Sequence, residues 1–219
     1  MPLAADATLD EIRLGLAHDV ALSAVFDGWT EKAVDSAAES AGIDKAVARL
    51  AFPGGAMDMI AAWVESVDAG MDDAFGSGQL DGMPIREKIR SLVQFRLDRA
   101  RGLEEAMSRA LAVQAMPQNA LSALKQGWAS ADKMWRLAGD TATDYNHYTK
   151  RAILAGIYGA TLAVYVSDES EDKADTRAFL DRRIEGVMKF EKAKAKLLGG
   201  EREHFDVARF LGRLRYPGN

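Results

Sequence analysis

The stretch WRLAGDTATDYNHYTKRAILAGIYGATLAVYV, residues 135–166, decides how the chain is read. Gly139 is placed to end a helix, because glycine alone takes the left-handed C′ conformation without a Cβ penalty. Thr143 stands where an N-cap oxygen is wanted, and Asp144 follows where it complements the helix dipole. From 152 to 166 there are fifteen residues without a charge. That is too short to span a bilayer, which takes about 20 apolar residues. A helix apolar all round is expected in the middle of a bundle. Ala152, Gly156 and Ala160 form one i, i+4 stripe of small residues, and Ala155, Gly159 and Ala163 a second. Along such stripes a neighbouring helix approaches closely, or a ligand lies.

The first turn of this helix is different in kind. Asp144, Asn146, His147, Tyr148, Lys150 and Arg151 crowd charge, amide and aromatic rings onto its entrance. They read either as a solvated helix start with a satisfied salt bridge or as a recognition surface.

Outward from this stretch, the chain is a series of helices separated by glycine, proline and aspartate. An all-α fold is expected. A first helix covers about 8–23. Thr30 starts a second that ends near Gly42, and Asp44 starts a short third, 45–51. Phe52-Pro53-Gly54-Gly55 closes it, and a fourth runs 56–75. GSGQLDGMP, 76–84, is a turn-rich boundary. Beyond it come 85–102, 103–115, a helix capped by Asn119, the central helix, and a long helix from Ser170 to about 198. The domains expected are 1–55, a helix-turn-helix unit; 56–200, a ligand-binding and dimerising bundle; and 201–219, a tail.

Three short helices with a glycine between the second and third are similar to the N-terminal domain of TetR-type regulators. The charge departs from that class. Residues 1–75 hold fourteen acidic and four basic residues, and the third helix offers only Lys45 and Arg49 to bases and phosphates. The fold is expected without DNA binding; a TetR-like regulator with a small-molecule chamber is the alternative. The rest of the chain carries twenty-four basic and nineteen acidic residues.

There is no cysteine, hence no disulfide. His18, His147 and His204 lie in separate regions, and no Glu-x-x-His pair, nucleophile elbow or phosphate loop is present. No enzyme, metal or cofactor is expected. The first twenty residues set Asp6, Asp10, Glu11 and Asp19 against Arg13, unlike a secretory or transit leader. A cytoplasmic protein is expected. The tail EREHFDVARFLGRLRYPGN, 201–219, is basic and amphipathic. It suits an anionic membrane surface, giving a peripheral contact at the inner face, or a return onto its own domain.

Trp128, Met134, Trp135, Leu154, Ile157, Tyr158 and Leu162 stand on two consecutive helices with Ala155, Gly156 and Gly159 between them. Such a stripe is either close-packed core or the wall of an elongated pocket.

The run AGDTATDYNHYTKRAILAGIYGATL, then SDES and FLDRRIEGVMKFEKAK, resembles the signature of the Coq-nine family, as do FDGWTEKAVDSAAESAG, FPGG and MSRALAVQAMPQNA upstream. The resemblance covers most of 10–195. It implies an accessory lipid-binding protein of ubiquinone biosynthesis with a TetR-like fold. The implied ligand is a prenylated quinone, other isoprenoid lipid or phospholipid, held by the pocket residues just named. It implies presentation of that ligand to the demethoxyubiquinone hydroxylase through a surface at Asp144, Asn146, His147, Tyr148 and Arg151. His147 stands where the family commonly has tryptophan. A homodimer through the last two helices is implied as well, with Phe179, Leu180, Ile184, Val187, Met188 and Phe190 near helical spacing. The tail is shorter than the membrane helix of mitochondrial members.

Overall fold

A computed structural model describes the chain over residues 6–141 and 145–198, with side chains over 6–141 and 147–190. These residues are all-α, without strands.

The helices begin and end where backbone groups find partners. Thr8 and Glu11 form a reciprocal capping box at the start of α1, Leu9–Asp27. This helix runs four residues past the expected end at Ser23, because nothing breaks it before Gly28 at φ +69°. Its buried stripe is Ile12, Leu16, Val20 and Ala24. The next helix, α2, is Glu31–Ala41 and stops at left-handed Gly42. Asp44 then accepts from the N–H groups of Ala46 and Val47 to open α3, Lys45–Leu50. A turn through Gly55 leads to α4, Ala56–Phe75.

The larger part continues with α5, Ile85–Arg99, α6, Glu104–Gln114, and α7, Ala120–Leu137. A 3-10 turn, Pro117–Asn119, precedes α7, and Asn119 does not cap it. Its amide reaches back 2.9 Å to the carbonyl of Val113 instead. At the other end of α7, Gly139 at φ +87° donates to Arg136 while Asp140 N–H donates to Trp135, a Schellman closure. The central helix is α8, Tyr145–Tyr165. Thr143 and Asp144 lie outside the described residues.

Two expectations need correction. Ser170 opens not the last helix itself but a 3-10 turn, Glu171–Lys173, in which Asp172 takes positive φ; α9 then runs Ala174–Leu198. Asp168 holds this corner, accepting from backbone and hydroxyl groups of both Ser170 and Thr176. Nor is α8 buried all round. Ala152, Gly156, Gly159, Ala160 and Ala163 are exposed. Side chains this small carry little apolar area, so leaving them in water costs little.

The contacts hold the described residues up to Leu180 in one compact unit, with the described residues from Asp181 onward a second. Within the first unit, α1 packs on α2, α4 and α6, so the expected boundaries at 55 and 76–84 fall inside it. Trp29 carries this packing. Its indole N–H donates 2.9 Å to the carbonyl of Ala106, and its ring lies 5.6 Å from that of Trp63. In the second unit, Ile184 is buried while Met188 and Phe190 are exposed; the basic tail, 201–219, lies outside the described residues.

Candidate functional site

Inside the first unit α4, α5, α6, α7 and α8 enclose a half-open cavity of about 740 Å³. That volume lies in the usual range of small-molecule sites, about 300–1,000 Å³. Its wall is mainly apolar: Ile60 and Trp63 from α4, Met107 and Leu111 from α6, Leu124 and Trp128 from α7.

On α8 the cavity takes Ala152, Ala155, Gly156, Gly159 and Leu162, one helical stripe, with Tyr158 at its edge. A Cβ added at Gly156, Gly159 or Gly127 would meet no atom within 4 Å. These glycines widen the space; they are not close-packing contacts.

Six of the expected pocket residues therefore meet there: Trp128, Ala155, Gly156, Tyr158, Gly159 and Leu162. Four do not line it. Met134 and Leu154 are buried core, and Ile157 lies on the opposite side of α8 from the cavity stripe. Trp135 packs at the entrance of α8, donating 3.0 Å to the carbonyl of Lys150, whose ammonium sits over its ring. The sequence reading missed Ile60, Trp63, Met107, Leu111 and Arg96, which come from helices distant in the chain. Arg96 left a signal. It occupies the buried stripe of Ile89, Leu92, Val93 and Leu97, where an arginine needs a reason.

The first turn of α8 splits into two layers. Arg151 was expected on a partner surface, but it is only 1% exposed. Its guanidinium donates 2.5 Å to Asp132 and 2.9 Å to Asp140, and 3.1 Å to the carbonyl of His147. Lys150 adds a second donor to Asp140 at 2.6 Å. Burial alone would raise both carboxyl pKa values. Lys150 and Arg151 outweigh it at Asp140, and Arg151 with Arg136 outweighs it at Asp132, holding both below the usual carboxylate range.

Tyr148 forms the outer layer, 61% exposed. Its ring lies 5.1 Å from His147, edge-on, and 6.1 Å from Trp128. Exposed Leu121 and Leu124 extend this apolar face along α7. Asp144 and the side chain of Asn146 lie outside the described residues.

Among the described residues no group of three or more His, Asp or Glu is arranged to hold a metal ion, and no helix is long and apolar enough to cross a membrane.

Residues 120–191 match the COQ9 family model. Over 168 residues the chain is 34% identical to the rat "Ubiquinone biosynthesis protein COQ9, mitochondrial", covering 74% of this chain and 54% of that protein. The human protein of the same description is 32% identical, with 74% and 52% covered. A Dictyostelium discoideum relative, a probable ubiquinone biosynthesis protein, is 27% identical, with 76% and 56% covered. The chain thus spans about half the length of the curated relatives it matches. Its fold is similar to a TetR transcriptional regulator from Nitrosomonas europaea, with a TM-score of 0.59 at 18% identity, over 80% of this chain and 95% of that one. The chain belongs to the COQ9 family and carries it on a TetR-like fold.

Proposed function

We propose that this protein serves ubiquinone biosynthesis without catalysing a step, holding a prenylated quinone or related isoprenoid lipid in the cavity of α4 to α8. It presents that lipid to the demethoxyubiquinone hydroxylase through the face centred on Tyr148. The observation that carries the reading is the position of Trp128, which walls the cavity and also lies 6.1 Å from exposed Tyr148. Pocket and docking face are then neighbours, so a partner seated on Tyr148 is beside the lipid it receives. The same reading includes a homodimer through α8 and α9 and a peripheral membrane contact by the basic tail.

A regulator that reads DNA is the competing function, supported by the fold likeness alone. Against it stand the two cations of α3. Arg49 is bidentate on Asp35, at 2.7 and 2.5 Å, and Lys45 is 2.8 Å from Glu39. Both must leave an acidic partner before meeting a phosphate.

Organic extraction of the purified protein followed by mass spectrometry tests the proposal. A co-purifying isoprenoid quinone or its precursor is the expected result. Protein without bound lipid that retards duplex DNA sequence-specifically at low salt would reverse the order of the two readings.

A further inference from the structure

Leu124 lines the cavity and is 72% exposed, so it stands at the mouth. Ala120 from α7 and Ala152, Gly156 and Gly159 from α8 share that position, each lining the cavity and exposed. The mouth therefore opens between the N-terminal half of α7 and α8. Ile60, Trp63 and Met107, all buried, lie deeper.

The rim is apolar beyond what the cavity needs. Leu121 is 65% exposed, and Met116, at the corner before α7, is exposed as well, yet neither lines the cavity. Leu121, Leu124, Lys125 and Trp128 stand at i, i+3, i+4 and i+7, so they share one face of α7. A large apolar face left in water marks a surface that a membrane or a partner covers.

Charge tells which. The chain has 33 acidic residues, but none falls between Glu105 and Asp132 and none lies in α8. The charge on this face of α7 is Lys125, exposed and without an acidic partner among the described residues. Apolar side chains beside a free ammonium suit a bilayer with anionic headgroups. They suit a protein partner less, because leucine is under-represented among residues that carry interface energy, where tyrosine, tryptophan and arginine lead. Tyr148, beside Trp128 at the other end of the face, answers that second description.

The ligand argues the same way. A prenyl chain crossing water to reach the mouth would expose its length at about 25 cal/mol for each Å² of apolar area. Resting on the lipid-chamber reading, we propose that Met116, Leu121 and Leu124, with Lys125, seat the cavity mouth on an anionic membrane surface. Lipid then passes between bilayer and cavity without entering water, while the Tyr148 end stays free for the hydroxylase.

The chain has no cysteine, so a single introduced one reports a single position. Full-length Leu121→Cys, labelled with the polarity-sensitive dye nitrobenzoxadiazole, is mixed with phosphatidylcholine vesicles with and without phosphatidylglycerol. Leu50→Cys is the control, since that leucine of α3 is equally exposed. Anionic vesicles should shift the emission at position 121 to the blue and brighten it severalfold. Neutral vesicles should do so less, and position 50 should not respond. Leu121→Asp leaves the cavity lining as it is. Its uptake of ubiquinone from anionic vesicles should slow about tenfold, because a carboxylate replaces a leucine at the interface. Loading with ubiquinone delivered from ethanol should stay at the wild-type level.

Protein that sediments with vesicles while the dye at 121 is unchanged overturns the rim contact and leaves the lipid chamber standing. An equal response at position 50 overturns it too, as unspecific adsorption. An equal response to neutral vesicles overturns the anionic assignment. A response to purified hydroxylase in solution, with none to vesicles, gives the face to a protein instead. Equal slowing of both loading routes in Leu121→Asp places the effect in the chamber and overturns the docking role. Insertion at 121 in a wild type that takes up ubiquinone by neither route keeps the membrane contact and overturns the chamber.

Discussion

The rings of Trp128 and Tyr148 lie 6.1 Å apart at 32°, although one belongs to the cavity wall and the other to the surface. The pair joins α7 to the first turn of α8. A side chain placed this way is expected to separate two measurable properties, partner binding and lipid retention, when one ring or the other is removed.

Tyr148→Ala should weaken binding to the hydroxylase at least tenfold, since exposed tyrosines of this kind carry interface energy of about 2 kcal/mol or more. Helix content and extracted lipid should not change. Trp128→Ala should reduce both. Calorimetric titration against the hydroxylase, run beside lipid extraction, distinguishes them. Loss of lipid in the Tyr148 variant at unchanged affinity would count against the docking face.

Gly156→Leu should narrow the cavity, and its Cβ finds room, since no atom of a neighbouring element lies within 4 Å of it. Replacing glycine in a helix also adds up to about 1 kcal/mol of propensity. The variant should melt at or above the wild-type temperature and carry less lipid. A well-folded variant with an unchanged lipid load would count against lipid lying along the α8 stripe.

Arg151→Ala removes the cation shared by Asp132 and Asp140 and leaves carboxylates without it. Asp132 keeps Arg136 and Asp140 keeps Lys150, so the loss should stay below about 3–5 kcal/mol, the cost of leaving a buried charge unpaired, and the urea midpoint should still fall. Hydroxylase affinity per folded molecule should stay as it was. The opposite pattern, normal stability with lost affinity, would return Arg151 to the surface role the sequence suggested.

Acid should act through the carboxylates the fold holds low, Glu11, Asp35, Glu39 and Glu104 among them, and three more on and around α7 and α9. Asp132, Asp140 and Asp168 are each held below the ordinary aspartate value, against burial, by hydrogen bonds from Arg151 and Arg136, from Lys150 and Arg151, and from Ser170 and Thr176. A lowered folded pKa gives stability that is present above the unfolded value, about 3.9, and is lost as pH falls below it. The melting temperature should therefore be level from pH 7 to about 5 and drop below about 4. Asp168→Asn should shallow that drop. An unchanged acid limb would show that the α9 corner does not depend on this carboxylate.

The homodimer has its own check. Met188 and Phe190 are exposed on α9, and a stable seam needs about 1,000 Å² or more in total. The wild type should sediment as a dimer at micromolar concentration and Phe190→Asp as a monomer. A monomeric wild type would dispose of the dimer.

Helix ends were legible because their signals are local. Gly42 and Asp44 mark the α2–α3 turn by their own backbone chemistry, and α4 begins and ends at 56 and 75, as its spacing predicts. The cavity was legible only on its α7 and α8 sides, which are consecutive. Trp63 and Met107 reach it by tertiary packing that no local periodicity encodes. Arg151 was misplaced for a related reason. Arginine is ordinarily a surface residue, and the carboxylates that draw this one inside sit 19 and 11 positions away on the preceding helix and its turn. The small face of α8 misled in the other direction, since alanine and glycine look apolar in a sequence yet tolerate water.

Trp63 lines the cavity and also lies against Trp29, whose indole holds the backbone of α6. The N-terminal helices are thereby linked thermodynamically to occupancy. A ligand that binds only the folded chain protects it by RT ln(1 + [L]/Kd), and that protection reaches every amide opening only with the cooperative unit. Amide hydrogens of α1 and α2, none of which borders the ligand, should then exchange more slowly in the loaded protein, in step with those of α8.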